Sequence, residues 1–405
     1  MRIIVIGGGA AGFFGAITCA EANPDYRVQI VEATQSLLSK VKISGGGRCN
    51  VTHACFDPVD LTQRYPRGSR ALRGPFSRFQ PQDTIAWFKR RGVALKTEAD
   101  GRIFPATDCS QTIVDCLCQA AHHAGVHIRV AHPVVAMQRS PAGFQIHLKS
   151  GDRLVADRVL LATGSHPIGY RLARSLGHTL IDPVPSLFTF QIKDPRLVGL
   201  AGISVPVVAL RLEVGNDRFQ QKGPLLVTHW GLSGPAILKL SAWAARSLHG
   251  NRYRATLVMN WLPDWSEAQL RAHLLRAKQN WPRRRILKVC PFPLPLRLWT
   301  RLCEPVEITP THRWADLSKQ ALRLLGDQLQ RGCFAVQGKG VFKDEFVTCG
   351  GVQLKQVNFK TMESRVCPHL YLGGELLDID GITGGFNFQN AWTTGWIAGQ
   401  AMANS

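Results

Sequence analysis

An apolar strand, Ile3-Ile4-Val5-Ile6, runs without a break into Gly7-Gly8-Gly9-Ala10-Ala11-Gly12 and then into the small-residue run Phe13-Phe14-Gly15-Ala16-Ile17. Strand, glycine turn and helix in that order form a nucleotide-binding turn. Gly7 permits the tight turn, Gly9 lacks a Cβ that would hold a pyrophosphate off the backbone, and Gly12 lets helix and strand pack closely. The diphosphate then meets free N–H groups at the positive end of the helix. A second strand, Tyr26–Val31, ends in Glu32, twenty residues past Gly12. A carboxylate there accepts hydrogen bonds from ribose hydroxyls and favours an unphosphorylated ribose.

The next informative block lies at the other end of the chain. Leu370-Tyr371-Leu372 reads as a strand, followed by Gly373-Gly374-Glu375, a Gly-rich loop and a terminal helix expected from about Gln389 to Met402. Gly-Glu after a strand places a carboxylate on a polyol, and the helix start offers N–H donors. The N1/C2=O edge of a flavin is an acceptor that gains negative charge on reduction and matches those donors. NAD has no such edge, so two nucleotide-contacting blocks at opposite ends of the chain favour FAD.

Between these blocks the first 186 residues read as an α/β unit. A long polar loop runs from Glu32 to Pro75, helices are expected at 81–92 and 112–124, and short strands run from Val126 to Ala162 as a parallel sheet with a β-meander attached. Residues 187–345 change texture. Apolar alternation at 187–193, 203–214 and 225–229 predicts an inserted β-barrel-like domain, with a helical, Arg- and Trp-rich piece at 266–330. Residues 346–405 return to the first style. The expectation is an FAD-binding domain interrupted by an inserted domain.

Composition bounds the function classes. Hydrophobic content of 45% with 19% charged residues describes a soluble globular protein, and no apolar run approaches the ~20 residues a membrane helix needs. With no signal-peptide pattern at the N-terminus, the expected location is cytoplasmic. The 11 Cys are scattered without C-x-x-C or zinc-like spacing, so reduced thiols and no metal are expected. The formal net charge of +21 is compatible with nucleic acid, an anionic surface or acidic small molecules, and the densest run is Arg283-Arg284-Arg285 with Lys288.

The motifs SGGGRCNVT (Ser44–Thr52), GRIFP (Gly101–Pro105), LATGS (Leu161–Ser165), THWGLSGPAIL (Thr228–Leu238), TMES (Thr361–Ser364) and the Gly374–Asn390 block resemble the aminoacetone oxidase and 3-dehydro-bile-acid reductase family of FAD-dependent oxidoreductases. The resemblance covers nearly the whole chain. It implies a glutathione-reductase-like Rossmann FAD domain with an inserted β-barrel and helical unit. Residue by residue, it implies that Gly7, Gly9, Ala11 and Gly12 hold pyrophosphate, Glu32 the adenosine ribose, and Val135 the adenine through its backbone. Thr163 and Gly164 would line the pyrophosphate, Glu375 the ribityl or pyrophosphate region, and Gly385, Phe386 and Asn387 the pyrimidine edge. Lys42, Ser44, Gly45, Gly46, Arg48, Cys49 and Asn50 would border the cofactor. Ser165, Phe386 and Phe388 depart from the family's usual Gly, Tyr and Leu, which bears on the substrate face.

For Cys49, packing is favoured over redox chemistry because no partner Cys is adjacent. His229 and Asn50 are the catalytic candidates, His229 as a proton donor beside its more ordinary reading as a hydrogen-bonded histidine. The expected chemistry is flavin reduction by NAD(P)H, bound transiently, or by an organic donor, and reoxidation by an unsaturated small-molecule acceptor or dioxygen. Two alternatives stand beside it. One is a flavoprotein acting on tRNA through its basic surface, with Arg283-Arg284-Arg285 and Trp281 as a phosphate and stacking patch; the other is a non-catalytic FAD-binding protein. The sequence leaves the oligomeric state open.

Overall fold

The Ile3–Ile6 strand folds into the middle of a parallel sheet because both its faces are apolar and both must be covered. In the computed structural model, which describes residues 1–141, 143–340 and 347–404, strand Arg2–Ile6 pairs in parallel with Arg27–Val31 on one side and Arg158–Leu161 on the other. Leu370–Leu372 continues the sheet beyond Arg158–Leu161, and His127–Arg129 beyond Arg27–Val31. Two short antiparallel strands, Val357–Asn358 and Glu363–Ser364, complete seven. Ile6, Leu161 and Leu372 stand in one row across three strands from distant parts of the sequence. The residues following them therefore leave the sheet together, at the carboxyl ends where open α/β sheets bind ligands.

The first helix (Ala10–Ala22) and the terminal helix (Phe386–Asn404) pack through glycines. A Cβ on Gly395 would stand 2.5 Å from the Ala11 carbonyl oxygen, and one on Gly399 would stand 2.5 Å from that of Gly15. Close backbone approach thus joins the two ends of the chain. Phe14 extends this seam into an aromatic cluster with Phe79, Trp87 and Trp392, at ring separations of 5.8, 4.5 and 4.7 Å. The meander is a separate antiparallel sheet of Val134–Ser140, Gly143–Leu148 and Arg153–Ala156.

The expected long loop after Glu32 contains short helices at Ser39–Gly47, Pro58–Thr62 and Ser69–Phe76. Pro58 at a helix start with the Asp57 side chain capping it, and the amphipathic SRALRGPF run, are local signals that the polar composition masks. The terminal helix begins at Phe386, three residues before the expected Gln389. Phe386 and Asn387 are therefore first-turn helical residues.

The chain divides into two compact units, Met1–Pro185 with Val347–Ser405, and Ser186–Phe346; the expected boundary at 345 lies outside the described residues. The second unit holds a seven-stranded sheet whose pairings are all antiparallel, built on the long strands Ser204–Val214 and Asp217–Thr228. Helices Glu267–Asn280, Leu296–Cys303 and Lys319–Arg331 fill the stretch expected to be helical. Their core includes fully buried Trp299 and Trp314. No helix among the described residues is long and apolar enough to cross a membrane.

Candidate cofactor site

Glycine is required at two points of the first turn, and a third glycine leaves room. Gly7 has φ +112°, and a Cβ on it would lie 2.5 Å from the Ala162 carbonyl oxygen; one on Gly12 would lie 2.0 Å from the Gly7 carbonyl oxygen. Those two serve the turn and the helix–strand contact. Gly9 is different: a Cβ there meets no protein atom within 4 Å. The helix beginning at Ala10 has no side-chain cap and no acid in its first turn, so its orphan N–H groups and positive end face that open space. Ala11 is buried behind the turn with its carbonyl against Gly395.

Glu32 is held at the end of its strand by donors. Its Oε2 accepts from the Gly8 N–H at 2.8 Å, and its Oε1 from the Thr34 N–H at 2.9 Å and the Thr34 hydroxyl at 3.0 Å. A carboxylate has about four acceptor positions, so lone pairs remain for ribose hydroxyls. Val135 is exposed at an irregularity of its strand, where the register shifts between Val134 and Ala136. Its backbone is thus out of step with the ladder.

The opposite wall follows Leu161 and Leu372. Thr163 carries a buried hydroxyl with no partner, and Gly164 adopts φ +58°. Glu375 accepts from the Thr348 N–H at 2.9 Å and from Lys40 Nζ at 2.5 Å, and the same ammonium donates to Ser165 Oγ at 3.1 Å. This carboxylate is anchored by the chain itself. Lys40 was missed in the sequence, because 335 residues separate it from its partner.

The Ser44–Asn50 loop and the terminal block form one hydrogen-bonded body. Helix Ser39–Gly47 breaks at Ser44, Gly45 and Gly46, and Gly46 and Gly47 face open space. Gly45 packs against Phe104 and the Asn50 backbone. Ser44 Oγ donates to the Val41 carbonyl at 3.0 Å, and the Lys42 carbonyl accepts from Ser110 Oγ at 2.7 Å. Arg48 lies 4.0 Å over the Phe104 ring and donates to Glu98 at 2.7 Å and Asp108 at 3.4 Å, so its guanidinium is committed locally.

Asn50, in the amide orientation that satisfies both its ends, donates to the Thr52 carbonyl and accepts from the Gly385 N–H, each at 3.0 Å. Gly385 has no room for a side chain, since a Cβ would stand 2.6 Å from the Thr52 carbonyl oxygen. Phe386 stacks on His53 at 4.7 Å, and its carbonyl accepts from Tyr65 OH at 2.6 Å. The Asn387 side chain closes the Gly-rich loop, accepting from the Gly381 N–H at 2.8 Å and donating to its carbonyl at 2.9 Å. Arg67 pairs with the fully buried Asp380, and Thr52 Oγ1 donates to Gln389 Oε1 at 2.6 Å. Sequence reasoning missed His53, Arg67, Asp380 and Gln389; each is informative only through a partner hundreds of residues away.

Cys49 is fully buried at φ +63°, its N–H donating to the Ser44 carbonyl at 3.0 Å. Burial pushes its thiol up from the usual 9.0 to about 12, and burial does the same to Cys19. Both are neutral thiols at physiological pH and poor nucleophiles. A thiol whose folded value is raised stabilises the fold fully below its unfolded value and loses that contribution as pH climbs through the folded value. Stability is therefore expected to fall between about pH 9 and 12. A thiol-disulfide reagent at pH 8 is expected to label the exposed Cys109 and Cys333 first and Cys49 only after unfolding, as read by peptide mass mapping.

His229 belongs to the other unit. It is exposed in the turn between Asp217–Thr228 and Gly231–Ser233, where the Thr228 hydroxyl accepts from the Trp230 N–H at 3.3 Å. Trp281 is partly buried and packs edge-on to Trp314 at 6.3 Å. The Arg284 guanidinium lies 5.9 Å over the Trp281 ring.

The residues present fit an FAD. An open cradle at Gly9 under an uncapped helix start suits a diphosphate, the Glu32 carboxylate suits a ribose, and the Gly385 turn opens a second helix. Known proteins agree. A family model described as HI0933-like protein Rossmann domain matches residues 1–401. The 3-dehydro-bile acid delta(4,6)-reductase of Clostridium scindens is 30% identical over 410 residues, 99% of each chain. The ribosomal RNA dihydrouridine synthase of Escherichia coli is 30% identical over 411 residues, 98% of this chain and 97% of the relative. Among solved structures, the 3-ketosteroid-delta4-(5alpha)-dehydrogenase of Rhodococcus jostii RHA1 shares the fold with a TM-score of 0.52 at 14% identity, covering 100% of this chain and 96% of that one. The chain belongs to the HI0933-like protein Rossmann-domain family of FAD-binding oxidoreductases.

Proposed function

We propose that this protein is an FAD-dependent reductase of a carbon–carbon double bond conjugated to a carbonyl, and that its substrate is a uridine within RNA. The observation that carries the FAD site is the row Ile6–Leu161–Leu372, which delivers Gly7–Gly12, Thr163–Gly164 and Gly373–Glu375 to one end of one sheet. FAD, when bound, would supply two-electron reduction of the double bond, with NADH or NADPH as the reductant. The chain's own part is to hold the cofactor. Gly7, Gly9, Ala11 and Gly12 bind the diphosphate, Glu32 the ribose, Val135 the adenine, and Thr163, Gly164 and Glu375 the middle of the molecule. At the pyrimidine edge Gly385 would supply the turn, its N–H being spent on Asn50, and Phe386 and Asn387 would offer backbone N–H groups, since the Asn387 amide is spent on Gly381. Lys42, Ser44, Gly45, Arg48 and Cys49 shape the adjoining wall. Asn50 is a positioning residue that ties Thr52 to Gly385. His229, exposed to solvent exchange, is the candidate donor of the proton that completes saturation.

Both full-length relatives carry names that involve such a bond. A delta(4,6)-reductase saturates a dienone, and dihydrouridine is uridine with two hydrogens added across C5=C6, which is conjugated to C4=O. The net charge of +21 favours the polyanionic substrate over a bile-acid-like one. The second reading, a small enone as acceptor, rests on the equal identity to the bile acid reductase. We read the antiparallel sheet of Ser186–Phe346 as the inserted barrel-like domain and the location as cytoplasmic.

The test is anaerobic. Protein bleached by NADPH or NADH is expected to recolour on addition of unmodified ribosomal RNA, with a mass gain of about two daltons on one uridine. Recolouring by a dienone steroid alone favours the second reading. Failure of both nicotinamides and both acceptors contradicts the proposal.

A further inference from the structure

Four arginines stand together in the Ser186–Phe346 unit, and among the described residues no carboxylate pairs with them. The stretches around 282–286 and 312–315 run side by side: the Ile286 N–H donates to the His312 carbonyl at 3.1 Å, Trp314 to Arg284 at 3.1 Å and Ala315 to Pro282 at 3.0 Å. Arg285 and Arg313 face each other as an antiparallel bridge pair. Arg283, Arg284, Arg285, Arg313 and Lys288 are all exposed, and among the described residues none forms an ion pair. The adjacent acid, Asp316, spends Oδ2 on the Arg313 backbone N–H at 2.8 Å.

Some arginines of the same unit pair with carboxylates, Arg196 with Asp194, Arg301 with Glu304 and Arg331 with Glu267, and others such as Arg271 and Arg323 form no ion pair among the described residues; what sets this group apart is that four are brought side by side. Like charges directly opposite across a bridge oppose folding. The backbone that bears them is nonetheless fixed, because the buried Trp299 donates its Nε1–H to the Ile286 carbonyl at 2.9 Å and stacks on buried Trp314 at 6.2 Å. The result is a rigid platform presenting guanidinium groups to water.

We infer that this arginine ladder is a docking surface for the phosphate backbone of RNA; the inference rests on the RNA reading above. Guanidinium forks match phosphate oxygens two at a time, and four of the five cations are arginines. An anionic membrane is a poorer fit. Peripheral membrane binding adds apolar anchors to basic ones, and here Ile286 and Trp314 are buried and Trp281 is partly buried against the same core. The juxtaposition of Arg285 with Arg313 is what turns a short basic run into a two-dimensional patch.

The experiment measures binding of a fluorescent 40-nucleotide unmodified RNA stem-loop to the holoprotein between 50 and 200 mM KCl, by anisotropy. Three proteins are compared: wild type, Arg283→Gln/Arg284→Gln/Arg285→Gln/Arg313→Gln, and a charge-matched control in the other unit, Lys149→Gln/Arg153→Gln/Arg174→Gln/Lys355→Gln. The ladder variant is expected to bind at least about tenfold more weakly and to lose about three units of the log–log salt slope, near 0.9 per phosphate contact. The control is expected to stay within about threefold of wild type. FAD content is unchanged in both, and the ladder variant's thermal midpoint is equal to or above wild type.

A ladder variant that binds like wild type overturns the inference, and so does a control that loses as much. Preference of the wild type for phosphatidylserine vesicles over the RNA overturns it as well. If the ladder variant still binds and saturates RNA uridine, the patch assignment fails and the reductase reading stands. If wild type does not bind the RNA even at 50 mM KCl, both the patch and the RNA reading fall.

Discussion

Gly9→Val is expected to give a protein that folds with the thermal midpoint of wild-type apoprotein and purifies without FAD. The backbone at Gly9 is extended, at φ −95° and ψ −170°, a conformation any residue adopts, and a Cβ there touches no protein atom within 4 Å. The fold therefore has no reason to object. The diphosphate does, because the added side chain stands between it and the first-turn N–H groups of the Ala10–Ala22 helix. Affinity for FAD is expected to fall at least about a hundredfold, equivalent to ~2.8 kcal/mol, by fluorescence titration of the apoprotein. Gly12→Val makes the contrasting case. Its Cβ would sit 2.0 Å from the Gly7 carbonyl oxygen, so it is expected to cost folding and cofactor together. If the two variants behave alike, Gly9 has no special relation to a ligand.

Arg67→Met is expected to be among the most destabilising single substitutions in the Rossmann unit. Asp380 is fully buried, and the Arg67 guanidinium pairs with its carboxylate through both Nε and Nη2. Removing the cation leaves a buried charge without its principal partner, at about 3–5 kcal/mol. The same change frees the loop that leads to Gly381–Gly385, so FAD retention is expected to fall with the thermal midpoint. Arg67→Met/Asp380→Leu is expected to recover most of the stability, since a buried apolar pair replaces an ion pair at little net cost. Thermal unfolding followed by far-UV circular dichroism and by flavin release checks both. A single variant with an unchanged midpoint removes the pair from the account.

How much of this was legible in the chain follows from distance along it. The Gly7–Gly12 turn, the strand before it and Glu32 after it lie within one local unit, and period and glycine placement suffice to find them. The terminal block was equally visible, but its helix starts at Phe386 rather than Gln389 because Asn387, folding back on Gly381, lets the Gly-rich loop hand over earlier than composition suggests. Val135, Thr163 and Gly164 came through family resemblance. Their register and exposure are properties of the sheet. Arg67–Asp380, Thr52–Gln389 and Lys40–Glu375 carry no local signal, since each couples residues more than 300 positions apart. Arg283-Arg284-Arg285 was visible as a run, whereas Arg313 beside it and the half-buried packing of Trp281 on Trp314 depended on how two loops pair over a tryptophan core.

The central claim is that both ends of the chain converge on one bound FAD. Its most direct measurement is the chromophore released by heat from purified protein, identified by chromatography and counted against chain concentration. About one FAD per chain in wild type and almost none in Gly9→Val is the expected result. Folded wild-type protein that is colourless and takes up no added FAD contradicts it.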